Sequence, residues 1–224
     1  MFAGHVGAAL AIGRAERRIN VGVLVFAAVL PDFLLWLFVL LGWETVLIPA
    51  DFARTHQPEF AFPCSHGLAA SIGWSALAGI ATFLWHPRLQ PAKTRAAALV
   101  ALAVFSHWLL DALVHAPELP IAGSESMKVG LGLWQTMPLA LMLEAVIAIV
   151  GLCLFLFGAS LSRAAKLWLS VLSLVILAFT VVGMTVAPPP PSVTAMALTS
   201  LVTIAVVCAL MAWLGKAAGD TRAG

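Results

Sequence analysis

Charge is what this chain has least of. Only 10% of its 224 residues are Asp, Glu, Lys or Arg, 62% are hydrophobic, and the mean hydropathy is +1.04. A water-soluble domain of that composition would leave much of its apolar surface unburied, so the soluble globular class is excluded. Cysteine is also scarce. Cys64, Cys153 and Cys208 form no CxxC pair and two of them lie within apolar runs, which excludes a disulfide framework and a thiolate zinc site. With a formal net charge of +2 and no basic tract, nucleic acid is not an expected partner. Between Lys166 and Lys216 there is no charged residue at all, and no repeat of useful period is present. The apolar opening MFAGHVGAALAIG lacks the preceding positive charge of a secretory signal and carries His5, so it is read as retained.

What the chain has instead is six long apolar runs, at 21–42, 66–85, 96–115, 133–158, 167–187 and 193–214, each near the ~20 residues of a spanning helix. The expected fold is all-α: a polytopic membrane protein with six spanning helices plus a partly inserted N-terminal helix. Residues 1–158 form the chemistry-bearing membrane domain and 159–224 a two-helix scaffold, the two integrated as one domain. APPPPS at 187–192 is a stiff turn between the last two spans. Charges between the runs alternate in sign. Arg14, Arg17 and Arg18, then Arg88, Lys93 and Arg95, then Arg163 and Lys166, then Lys216 and Arg222 mark the cytoplasmic side. Glu44, Asp51, Glu59, Glu118 and Glu125 mark the outer side, and Trp43, Trp85, Trp134, Trp168 and Trp213 fall at run ends as an interfacial belt does.

Against this background the run FSHWLLDALVH, residues 105–115, stands out, because ionisable groups in hydrocarbon are costly unless paired or metal-bound. His107, Asp111 and His115 recur every four residues, which on one helix stacks them along a single face. At ~1.5 Å of rise per residue, His5 and Asp32 reach ~20 Å above the cytoplasmic arginines, His107 ~18 Å and Glu144 ~24 Å, while His66 opens its span at the outer end. All seven groups (His5, Asp32, His66, His107, Asp111, His115 and Glu144) therefore fall in the outer half.

Imidazole and carboxylate together suit zinc, or manganese where oxygen dominates. The number of donors exceeds one closed tetrahedron, so two or more divalent ions with an open position for water are expected, with Asp32 or Glu144 free to act as general base. Each member also has a structural alternative: an incidental His5, a helix kink and cap at Pro31–Asp32, an interfacial cap at His66, a self-satisfied His–Asp pair in the ladder, an interhelical hydrogen bond at Glu144. His56, Asp51 and Glu118 read as loop groups, His56 and Asp51 with a minor option as lid or proton shuttle and Glu118 as a partner of His115. His86 reads as cytoplasmic and interfacial, and Cys64 as no ligand.

The order of His5, LPD at 30–32, SH at 65–66 opening a helix and SHWLLDALVH at 106–115 resembles the membrane-bound metal-dependent hydrolases of bacteria and archaea, a family that includes a LexA-regulated inner-membrane protein. The matching blocks run from His5 to Glu144. A more distant likeness is to zinc-dependent phospholipase C, also helical, whose His, Asp, His, HxxxD order implies His5, Asp32, His66, His107 and Asp111 as ligands, with His115 and Glu144 completing a second metal. The TPxG that typically follows HxxxD in the membrane-bound hydrolase family is replaced here by LVHAPELPIAG.

The resemblance implies a hydrolase in the inner (cytoplasmic) membrane, with its site toward the outer face. Its expected substrate is a phosphoester of a membrane lipid, with a carboxylic ester or amide as second choice. A divalent-metal transporter and a structural metal protein are the alternatives.

Overall fold

The computed structural model describes residues 1–85 and 92–216. His86, Arg88 and Arg222, which the sequence reading assigns to the positive side, lie outside the described residues. The described residues are all-α apart from two short hairpins. Helix α1 (Phe2–Gly13) is followed by α2 (Val21–Ala28) and α3 (Leu30–Leu40). Strand β1 (Thr45–Leu47), the single turn α4 (Phe52–Thr55) and β2 (Glu59–Ala61) precede α5 (Leu68–Trp85) and α6 (Lys93–Val114). A second hairpin of β3 (Leu119–Pro120) and β4 (Lys128–Val129) leads through a 3-10 turn (Leu133–Thr136) into α7 (Met137–Leu156), then α8 (Arg163–Thr185) and α9 (Val193–Lys216).

Five of these helical segments are long and apolar enough to span a bilayer; the bent pair α2–α3 makes a sixth, and α1 is a shorter apolar helix. The chain is thus a multi-pass membrane protein. Its surface agrees: Ile72, Leu77, Leu174, Phe179 and Val202 face outward within the apolar lengths of these helices, as lipid-facing residues do. Trp43, Trp85, Trp168 and Trp213 are exposed at helix ends.

Two differences from the sequence reading matter for the site. The run 21–42 is not one straight span but bends by 53° between α2 and α3, because Pro31 offers no N–H to the helical ladder. And α6 ends at Val114, so His115 is the residue after the helix, with extended backbone, and not a third rung of the ladder.

Helix α2 lies at the centre. Val21, Leu24, Val25, Ala27 and Ala28 are buried in one core with residues of α1, α6, α7, α8 and α9. The helices approach through small residues, as membrane helices do in the absence of a hydrophobic drive between them. At the α1–α7 crossing, a Cβ added at Gly7 would stand 2.5 Å from the Ile147 carbonyl oxygen, and one at Gly151 only 2.0 Å from that of Gly7. The arginine-rich end is tied by side chains on helix ends: Arg17 Nη1 donates to Phe155 O at 2.7 Å, Arg14 Nη1 to Phe157 O at 3.1 Å and Arg95 Nη2 to Ala15 O at 2.6 Å. The residues 159–216 read as scaffold pack into this same core through Leu169, Ile176, Val207 and Met211.

Candidate metal centre

Five of the seven side chains selected from the sequence meet at the end of the bundle that carries the hairpins. Helix α6 supplies His107 and Asp111 from one face, the bend before α3 supplies Asp32 in its first turn, α1 supplies His5, and the turn before α5 supplies His66. His66 Nε2 and His107 Nε2 are 3.1 Å apart. Asp111 Oδ2 lies 3.0 Å from His107 Nε2 and 3.5 Å from His66 Nε2. Asp32 Oδ1 lies 3.5 Å and 3.7 Å from the same two nitrogens. The His5 ring stacks on that of His107 with centroids 3.8 Å apart, and its Nε2 is 3.1 Å from Asp111 Oδ1. The Met1 amino group is 3.8 Å from that same oxygen.

The hydrogens of the two central imidazoles can be assigned from their other nitrogens. His107 Nδ1 is 2.8 Å from the Ala28 carbonyl at the α2–α3 bend, and a carbonyl only accepts, so this nitrogen carries the hydrogen. His66 Nδ1 is 2.8 Å from Ser65 Oγ. Ser65 spends its one hydrogen on Glu44 Oε2 at 2.7 Å, so it must accept from His66 Nδ1. In the neutral rings both Nε2 atoms therefore present lone pairs to each other, and to a carboxylate oxygen, at 3.0–3.5 Å. Bare, that arrangement is repulsive; a cation resolves it. The edges of this triangle also match the ~3.3 Å that separates tetrahedral ligands ~2.0–2.1 Å from a zinc ion. Further buried atoms without a hydrogen-bond partner, His5 Nδ1, His5 Nε2 and Asp111 Oδ1, adjoin it. The donor set fits a divalent metal.

Among the described residues, two overlapping groups have a spacing able to hold an ion: His66, His107 and Asp111, and His5, Asp32 and His107. Since His107 Nδ1 is committed to Ala28, its one free nitrogen serves only one ion at a time, so the groups are alternatives at this ring.

No protein-family model, curated protein or solved structure matches the chain.

The other two selected residues sit beside this set and not in it. His115 Nδ1 donates to Glu118 Oε1 at 2.5 Å and its Nε2 is 3.8 Å from Asp111 Oδ2. Its position past the end of α6, fixed by Gly132 N donating to His115 O at 2.7 Å, carries it away from the stacked face. Glu144 on α7 is buried and accepts from Gly4 N at 3.1 Å, which holds α1 against α7 in the register that places His5.

Glu44 and Ser65 were missed as site residues. Glu44 looked like an outer loop acid, yet it is 2% exposed and accepts from Cys64 N and Ser65 N at 2.7 Å and 2.8 Å as well as from the Ser65 hydroxyl. The β1–β2 hairpin, pairing Thr45 with Ala61, is what brings it back onto His66. The available signal was an acid directly before a short strand pair whose far arm leads into Cys-Ser-His.

Of the cluster, His5, His66, His107 and Asp111 are sealed; Asp32 alone is appreciably open, its side chain 23% exposed. It faces a cavity of about 540 Å³ that Glu144 also lines.

Proposed function

We propose that the chain is a membrane-embedded metal-dependent hydrolase acting on a phosphoester of a membrane lipid. The observation that carries this reading is the pair of facing Nε2 lone pairs on His66 and His107, each fixed by a hydrogen bond at the opposite nitrogen. Three protein ligands with a further position left for water is the pattern of catalytic zinc sites, as against the closed four of structural ones. His66, His107 and Asp111 would hold the ion, zinc or manganese by donor type. We assign one ion to this triad, where residue counting led to two or more, because Glu144 is engaged by Gly4 N and His115 by Glu118.

A bound divalent ion polarises a phosphoryl oxygen and lowers the pKa of water toward neutrality. Asp32, open to the cavity, is placed to take a proton from the attacking water as the water oxygen bonds to phosphorus. The phosphorus–alkoxy bond breaks, and the same proton passes from Asp32 to the departing alcohol. Glu144, expected as an alternative base or ligand, is given the role of holding α1. Transport is the poorer reading, because beneath the cluster Leu24, Val25, Val100, Ala103 and Val104 are fully packed and offer no ligand. A resident structural ion is opposed by the cavity at Asp32.

The resemblance to inner-membrane hydrolases enters here as support for the reaction class and for the bacterial or archaeal cytoplasmic membrane. The surplus of arginine and lysine at the other end of the bundle supports a site facing outward. Orientation has a native reporter, since Cys64 is exposed beside the site whereas Cys153 and Cys208 lie within spanning helices. Burial, and then the Glu44 carboxylate, raise the Cys64 thiol above its ordinary pKa, so labelling belongs at alkaline pH. A membrane-impermeant maleimide should modify Cys64 from outside intact cells. Modification only after the membrane is opened would reverse the orientation.

For the activity itself, purified protein should release phosphate or a phosphorylated head group from phospholipids, lipid phosphates or polyprenyl phosphates in mixed micelles. Chelator should stop the release, and zinc or manganese should restore it. Soluble nitrophenyl phosphates should be turned over poorly. Turnover unaffected by chelation would reject the metal-dependent reading.

A further inference from the structure

The cavity beside Asp32 has a shape and a set of walls that the hydrolase reading does not by itself require. Its inner wall is Asp32 and Glu144; its opposite wall is built by α8 and α9, from Thr180 and Gly183 to Met196 and Ile204. Ile204 is eleven residues into α9, so the floor lies ~16 Å below the hairpin end of that helix. The roof is the segment around α4 together with Trp134, tied by Gln57 Nε2 donating to Trp134 O at 3.1 Å.

Access is therefore sideways. Phe179 lines the cavity and is 58% exposed in mid-helix, and Thr199 lines it and is exposed on α9. Both positions lie within the apolar lengths of spanning helices, where the surroundings are hydrocarbon. Helix α9 packs chiefly on α2 and α3, which leaves its seam with α8 as the opening.

One wall atom points to a ligand. Thr180 is 7% exposed and its Oγ1 is buried without a hydrogen-bond partner, whereas Thr199 Oγ1 satisfies itself on the Ala195 carbonyl of its own helix at 2.8 Å. Ser173 Oγ on the same helix is likewise unpaired, but Thr180 lines the cavity, and a rotation about its χ1 that offers the hydroxyl to an oxygen of a bound molecule breaks no existing hydrogen bond. His56 in the roof, held at a left-handed φ of 51°, also has its Nδ1 unpartnered.

We propose that this cavity is a lateral entry slot for a lipid phosphate carrying one hydrocarbon chain. The chain lies along α8 and α9, the Thr180 hydroxyl donates to an oxygen of the polar linkage, and the phosphate reaches Asp32. The proposal rests on the hydrolase reading for the role of Asp32 but not for the slot itself. A volume of about 540 Å³ is that of a pocket for one small ligand, so it takes one chain with its linkage, and the leaflet on the hairpin side supplies it.

The test uses the full chain in lipid nanodiscs and two photoreactive probes, each a phosphate monoester with a diazirine near the tail end, one with an acyl chain and one with an isoprenoid chain. Crosslinks mapped by mass spectrometry should concentrate on α8 and α9 around Gly183, Met184 and Met196, and should persist there, more weakly, without metal, where the phosphate meets the Asp32 and Glu144 carboxylates unbalanced. Acyl and isoprenoid probes compete for the same site, and the stronger of the two names the source. Gly183→Trp should reduce the slot crosslinks at least tenfold at unchanged metal content, since a Cβ at Gly183 meets nothing within 4 Å and the indole is left to fill the opening. Thr180→Val, which keeps the shape, should weaken probe competition about tenfold even if the tryptophan variant fails to fold.

Crosslinks spread evenly over outward-facing residues such as Ile72 and Leu77, or unchanged in both variants, would overturn the slot. Slot crosslinking without turnover of any lipid retains the slot and removes the hydrolase. Turnover with crosslinks elsewhere does the reverse.

Discussion

Replacing Asp111 by alanine is expected to lower metal affinity more than about a hundredfold and to abolish activity, with the helices still assembled. The carboxylate has no equal in the site: one oxygen lies 3.0 Å from His107 Nε2 and 3.5 Å from His66 Nε2, the other 3.1 Å from His5 Nε2. Without it, a divalent charge between the facing imidazoles is balanced only from the longer distances of Asp32 Oδ1, 3.5 Å and 3.7 Å from the two nitrogens. Glu44→Gln should act through the hydrogen-bond chain and cost ~10–100-fold, the range of an outer partner of a ligand. The amide nitrogen would donate to Ser65, turn the serine hydrogen toward His66 Nδ1, and so move the imidazole hydrogen onto the nitrogen that must bind metal. Glu125→Gln, in an exposed loop, should change nothing. Metal titration of the purified variants reads all three, and a Glu44→Gln affinity equal to that of the unaltered chain would remove the relay.

The second large effect is on stability. Gly151→Val should cost about 3 kcal/mol or more and take the metal site with it. The new Cβ would stand 2.0 Å from the Gly7 carbonyl oxygen and 2.6 Å from its carbon, and because both are backbone no rotamer change relieves the clash. Helix α1 must move away from α7, which breaks the bond from Gly4 N to Glu144 and withdraws His5 from Asp111. Thermal unfolding in detergent should show a lower midpoint together with reduced metal retention. The comparison is Gly73→Ala on α5, where a Cβ meets nothing within 4 Å and the midpoint should hold or rise. Equal midpoints for the two variants would mean that α1 is not held by this crossing.

Much of this architecture was legible because the membrane leaves few choices: apolar runs near twenty residues become helices, and a charge inside one needs a reason. The i, i+4 pair His107–Asp111 and the Asp of LPD were readable for that cause, and they do converge. His115 was misplaced on the helix because spacing alone cannot show that α6 stops at Val114, one residue earlier. Glu144 was legible as a buried acid but not as the acceptor for Gly4 N, which depends on the close passage of two glycines on helices far apart in sequence. Glu44 was hidden by its loop: its partners are some twenty residues on, across strands of three residues each, too short to leave an alternating pattern. The stretch from 167 to 215, read as scaffold for its lack of charge, supplies a cavity wall, since what it contributes is apolar surface and uncharged hydroxyls, that of Thr180 unpaired.

The most direct test of the central claim is the metal content of the protein purified from metal-replete cells without chelator, measured by inductively coupled plasma mass spectrometry beside His107→Ala. At least about one zinc or manganese per chain is expected in the unaltered protein and less than a tenth of that in the variant. A chain that folds, retains its midpoint and carries no transition metal, or one whose metal content His107→Ala leaves unchanged, would contradict the claim.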